Sequence, residues 1–125
     1  MIVVDSCGWL EYFFDGALAE RYYQEYLRHP EEIIVPTVVL YEVYKKIKAE
    51  KDEETANLVA VHLKKSRVID LDEEIAFLSA DLSLKHSLHM ADAIVYATSQ
   101  REESLLVTSD LHLKNLKGVI FIDVD

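Results

Sequence analysis

Four carboxylates stand where they could act together: Asp5, Glu42, Asp92 and Asp110. Asp5 ends the apolar run Ile2, Val3, Val4, and Asp110 follows the run LLVT at 105–108. Glu42 lies one turn into the segment that follows a second apolar run at 33–35, and Asp92 opens the segment MADAIVYATSQ. Acids that converge on one crevice repel one another unless a cation sits between them. Hard divalent ions with oxygen ligands, Mg²⁺ or Mn²⁺, suit such a set. Ions held that way stabilise the attacking and leaving oxygens of an in-line phosphodiester displacement and lower the pKa of a bound water. Taken singly, each acid could equally be a surface charge, a turn former or a helix cap. The elements between the four decide whether they meet.

Short apolar runs at 2–4, 33–35, 67–71, 105–108 and 119–122 read as strands buried on both faces. Helical periodicity fills the gaps. A short helix is predicted over 7–14, with Ser6 as its cap, and an amphipathic helix over 17–28 with Leu18, Tyr22 and Tyr26 on one side. His29-Pro30 ends it. Thr37 is expected to cap a helix over 38–49 with Val39, Val43 and Ile47 on one face. Lys45, Lys46 and Lys48 crowd its last turns, where the helix dipole favours cations without any need for a nucleic acid. A helix over 52–65 should turn Leu58 and Val61 inward, with His62 partly exposed. Asp72 caps a helix ending near His86. Helix 90–100 carries Asp92 in its first turn, a short helical turn passes through Leu113 and Leu116, and residues 123–125 form a tail. His86 and His89 are too slight a pair to define a zinc site.

Short strands alternating with helices specify an α/β fold, a parallel sheet covered on both faces. In such a sheet the ends after strands one and four lie on the same edge. If those strands are neighbours, with strand two on the other side of strand one, Asp5 and Asp110 flank a topological switch point. Glu42 and Asp92 could then lean over the same crevice.

A chain of 125 residues with 50% hydrophobic content fits one domain, 1–125, with a packed core. A net charge of −10 argues against a passive nucleic-acid binder, which would show a basic face. It leaves room for an enzyme that meets phosphate through bound cations. The single cysteine, Cys7, excludes an internal disulfide, and no signal peptide or membrane-length apolar run is visible, all of which points to the cytoplasm. The early helices are loaded with aromatic residues: Trp9, Tyr12, Phe13, Phe14, Tyr22, Tyr23, Tyr26, Tyr41 and Tyr44. One small domain can bury only part of them, which predicts a homodimer.

The segments IVVDSCGWLEYF, VPTVVLYEVYKKI, ADAIVYATS and LLVTSDLHLKNL, in that order, resemble the PIN-domain family, and within it the toxin ribonucleases of the VapC type. The likeness spans nearly the whole chain. It implies a five-stranded parallel sheet in the order 3-2-1-4-5 between helices. It also implies a Mg²⁺- or Mn²⁺-dependent endoribonuclease acting on single-stranded RNA, commonly a homodimer, whose antitoxin blocks the site. By position, Asp5 and Asp92 become the core metal ligands, Glu42 and Asp110 complete the acidic set, and Ser6 and Thr108 are the polar residues flanking it. An antitoxin facing so many acids should present a basic side chain, Arg above all. Two residues depart from the family pattern: Cys7, where a small or hydroxyl residue is common, and Leu113, where an aromatic is often found. A catalytically silent PIN-like module that binds a protein, and a housekeeping RNA-processing nuclease, are the alternatives. An aspartyl-phosphate mechanism on Asp5 fits poorly, because Cys7 stands where a phosphatase places a second Asp.

Overall fold

The computed structural model describes residues 1–123; Val124 and Asp125, the end of the expected tail, lie outside them. Three-residue runs such as Ile2–Val4 form strands because they are β-branched and apolar on both faces. β1 (Ile2–Val4), β2 (Ile33–Pro36), β3 (Arg67–Ile69), β4 (Leu105–Thr108) and β5 (Val119–Phe121) make one sheet. Its order is β3-β2-β1-β4-β5 and every pairing is parallel, as the family resemblance implied. β1 is central, with Ile2 opposite both Ile33 and Leu105. Val3, Val4, Ile33, Ile34, Val35, Leu106 and Val107 are fully buried, each stabilising the fold by about 1.5–3 kcal/mol.

The helices lie on both faces. α1 (Ser6–Phe13) follows β1, and α3 (Thr37–Glu50) follows β2 with Val39, Val43 and Ile47 buried, as the spacing predicted. α4 (Glu53–Leu63) packs on α3, and α5 (Glu73–His86) packs on α6 (Met90–Arg101). α6 is buried continuously from Ala93 to Ser99, so it is a core helix rather than an amphipathic one. That burial holds Asp92, one residue before it, at a fixed place over the sheet edge.

Several expectations need correction. Asp5, not Ser6, is the N-cap of α1: its carboxylate accepts the Ser6 N–H at 2.8 Å. Thr37 is the first helical residue of α3 and caps nothing there; its hydroxyl accepts the Leu71 N–H at 3.2 Å and ties the exit of β3 to the start of α3. The helix expected over 17–28 is one α-turn, α2 (Ala19–Tyr22), running into a π-helical segment, Tyr23–Leu27, closed by the Arg28 N–H on the Tyr23 carbonyl at 3.2 Å. The wider π-turn lets Tyr22 and Leu27, five residues apart, both face the core. In α4 the buried residues are Ala56, Val59 and Leu63, while Leu58 and Val61 are exposed. Ala56 is small enough to let α4 approach α3, and the larger side chains turn outward.

The aromatic load is mostly absorbed within one chain. Trp9 and Tyr22 are buried, and Tyr12, Phe13, Phe14, Tyr26 and Tyr44 pack against the core, leaving Tyr23 and Tyr41 exposed. His62 fills a gap in this packing, edge-on to Phe13 with ring centroids 5.6 Å apart. No helix among the described residues is long and apolar enough to cross a membrane.

Candidate active site

The carboxyl ends of β1 and β4 lie side by side, and the Asp5 N–H extends their ladder by donating to the Val107 carbonyl at 2.9 Å. This pairing brings residue 5 beside residues 108–110. The Thr108 hydroxyl, fully buried, donates to one Asp5 oxygen at 2.8 Å and accepts the Asp110 N–H at 3.0 Å. The other Asp5 oxygen takes the Ser6 N–H. Burial raises the Asp5 pKa above the ordinary carboxylate range, against the hydrogen bonds from Thr108 and Ser6, and the nearby Asp110 charge adds to the rise.

Beneath this edge lies a second layer. The Cys7 thiol is 3.8 Å from Asp5 and accepts the Ser109 N–H at 3.4 Å. Burial and the Asp5 charge push its pKa up to about 11, so it is a neutral packing group and not a nucleophile. The Tyr22 hydroxyl meets the Ser109 hydroxyl at 2.6 Å. Gly8 is needed here, because an added Cβ would overlap the Tyr22 ring and come within 2.8 Å of a Val4 methyl. The turn carrying Asp110 is thus fixed from below by Thr108, Cys7 and Tyr22.

Asp110 caps the 3₁₀ turn Leu111–Leu113, accepting the His112 N–H at 2.8 Å and facing the His112 ring Nδ1 at 3.0 Å. Asp92 reaches the same place from the first turn of α6: ligand atoms of Asp92, Asp110 and His112 all lie within 4.8 Å of one another. The Asp92 pKa is pushed up to about 6, first by burial and then by the Asp110 and Asp5 charges, with His112 and His89 acting against them. The His89 and His112 rings meet edge to face, 6.0 Å apart. The Glu42 pKa is also raised, by burial, then Asp5, and more weakly by Asp92 and Asp110, while Ser6 acts against the rise.

All four acids named from the sequence therefore share one electrostatic environment. Asp92 and Asp110 come close enough to share an ion; Asp5 lies deeper and Glu42 to one side, outside that tight group. His112 is the residue the sequence reasoning passed over. Its signal in the sequence is the Asp-x-His spacing behind a strand end, Asp110 to His112. The donor set is two carboxylates and one imidazole, backed by further oxygens. Such a donor set, rich in carboxylate oxygen, fits a divalent metal ion.

The fold is found in known proteins. A protein-family model, "PIN domain", matches residues 2–119. No curated protein sequence matches the chain. Among solved structures, the chain superimposes on a toxin–antitoxin complex from Klebsiella pneumoniae with a TM-score of 0.80 and 21% identity, covering 96% of each chain. VapBC2 from Rickettsia felis, bound to a DNA fragment from its promoter, gives a TM-score of 0.73 at 15% identity over 98% of each chain. VapC20 of Mycobacterium tuberculosis, a Sarcin-Ricin loop cleaving toxin, gives 0.73 at 14% identity, covering 100% of this chain and 92% of that one. At these identities the likeness is one of fold.

Proposed function

Because the chain belongs to the PIN domain family, we propose that it is a Mg²⁺- or Mn²⁺-dependent endoribonuclease that cleaves single-stranded RNA and serves as the toxin of a toxin–antitoxin pair. The observation that carries this reading is the gathering of Asp5, Glu42 and Asp92 around Asp110 beyond the ends of β1 and β4, where burial and the neighbouring acidic charges raise the pKa values of the first three. Acids kept together at such electrostatic cost favour a cation. Asp92, Asp110 and His112 would hold the ion, with Asp5 and Glu42 completing the negative crevice. When bound, the metal lowers the pKa of a water and neutralises charge developing on the phosphodiester. Water would add to phosphorus as one P–O ester bond breaks, Glu42, with its raised proton affinity, would take the water's proton, and the departing oxygen would leave as a hydroxyl by taking a proton from solvent. Asp5, tied to Ser6 and Thr108, fixes the floor of the crevice.

The toxin part of the reading draws on neighbours that are themselves toxin–antitoxin structures. An antitoxin would close the crevice with a basic side chain, Arg fitting best because it meets carboxylates in bidentate fashion. The protein would act as a cytoplasmic homodimer. The test is a labelled single-stranded RNA incubated with Mg²⁺, with Mn²⁺ or with EDTA. Cleavage that needs the metal and disappears in Asp92→Asn is expected. Cleavage that persists in EDTA, or an Asp92→Asn protein as active as wild type, overturns the reading.

A further inference from the structure

An enzyme with a net charge of −10 repels RNA everywhere except where cations gather. Seven of its 13 basic residues fall between Lys45 and Arg67. The lysines of α3 suit the helix C-terminus, and two of them have acid partners: Lys46 pairs with Glu50 at 2.7 Å and Lys48 with Glu53 at 3.4 Å. Lys45 has no acid partner among the described residues. Its ammonium instead sits 5.5 Å from the centre of the Tyr41 ring and donates to the Tyr41 hydroxyl at 3.3 Å. Tyr41 is 60% exposed. A large aromatic ring held out in solvent beside an uncompensated cation serves no packing purpose.

The place of this pair gives it meaning. Ser6, Leu10, Tyr41, Glu42, Lys45 and Lys46 line an open groove of about 350 Å³ between α1 and α3. One end of the groove is Ser6 and Glu42, at the edge of the acidic crevice. From there it follows α3 for roughly 10 Å, at about 1.5 Å per residue. Charge along it changes from negative at Glu42 to positive at Lys45 and Lys46. We propose that this groove binds the stretch of single-stranded RNA adjoining the cleaved phosphodiester, with Tyr41 stacked against a base and Lys45 against a phosphate. Aromatic faces accept any base, and a cation beside the ring takes the backbone, which is how proteins hold single strands without reading sequence. The proposal rests on the ribonuclease reading above.

The test uses a fluorescein-labelled single-stranded RNA 12-mer of mixed sequence. Binding is read by anisotropy in an Asp92→Asn background, and turnover in the otherwise unaltered protein. Tyr41→Ala should weaken binding about thirtyfold, the middle of the range for losing one stacked base. Tyr41→Phe, which keeps the ring, should restore most of it. Lys45→Ala should flatten the dependence of log affinity on log salt by about 0.7, as one phosphate contact on a single strand requires. In turnover the loss should fall on KM rather than kcat, and stabilisation by Mg²⁺ in thermal melts should match wild type. Wild-type affinity and salt slope in both Tyr41→Ala and Lys45→Ala overturn the groove alone, provided the unaltered protein cuts the 12-mer. An unaltered protein that neither binds nor cuts it overturns the groove and the ribonuclease reading together.

Discussion

Asp5 shows how one side chain can serve two elements: it caps α1 through the Ser6 N–H, and its second oxygen accepts from Thr108 at the end of β4. Its reading as a helix cap is borne out, and the Asp110 charge that helps raise its pKa ties it to the other acids. Asp92 offers the sharper test. With the metal absent, its carboxyl titrates near 6 instead of 3.8. The native chain then binds protons that the unfolded chain releases, so metal-free stability is highest below that window and falls as pH rises through it. Asp5 and Glu42 shift in the same direction. Asp92→Asn should flatten this fall and raise metal-free stability near neutral pH by about 0.5–1 kcal/mol, a modest gain because the carboxyl is half-exposed and screened. Urea unfolding in EDTA between pH 4 and 8 measures it. Mg²⁺ at a hundred times its Kd should stabilise wild type by about 2.7 kcal/mol and the variant by clearly less. A destabilised variant that melts alike with and without Mg²⁺ would instead mark Asp92 as a helix-dipole acid. His112 was hard to foresee because an Asp-x-His spacing alone is a weak mark, and only the 3₁₀ turn brings its ring onto Asp110.

Among the elements, the strands were legible because apolar runs this short and this β-branched have few other uses. α3 was legible because its apolar residues occupy one face. α4 was not: residues 56, 58, 59, 60, 61 and 63 are all apolar, so periodicity alone does not say which side is buried. The π-helical step was equally hidden, since it answers to the burial of Tyr22 and Leu27 and not to local propensity. α1 makes a prediction in which two effects oppose. Gly8→Ala should gain up to about 1 kcal/mol of helix propensity. The added methyl, however, meets the buried Tyr22 ring and Val4, and overpacking of that kind costs about 1–3 kcal/mol. The clash should win, lowering the urea midpoint. Tyr22→Phe, which removes the hydroxyl bonded to Ser109 and close to Cys7, should cost about 0.5–1.5 kcal/mol. Activity falling further than stability would show that the bond steadies the Asp110 turn.

At the scale of the whole molecule, a homodimer remains the expectation, but the surface to be covered is not the one the aromatic residues of the early helices indicated. Phe77 and Leu84, two turns apart on α5, are 67% and 86% exposed, and Met90 at the start of α6 is 77% exposed. Met90 lines an apolar groove of about 330 Å³ between α5 and α6, together with Ala76, Ala80, Ala93 and Ile94. Exposed apolar surface of this kind marks interfaces. Sedimentation should show a species twice 14.4 kDa, and Phe77→Glu with Leu84→Glu should give a monomer of unreduced stability. A wild-type monomer at micromolar concentration would remove the dimer.

The bond from Thr108 to Asp5 spans 103 residues of sequence. β1 leaves a ribosome first, yet it lies between β2 and β4, and its carboxyl end acquires Asp110 only when the last quarter of the chain has emerged. At about 5–20 residues per second, that interval lasts roughly 5–20 s. Throughout it the nascent chain carries Asp5 and Glu42 without their partners across the crevice. A protein that cuts RNA would then be synthesised in a form unable to damage the transcript or the ribosome producing it. Chains stalled at residue 100 should show no nuclease activity, and chains released at full length should gain it on the timescale of folding.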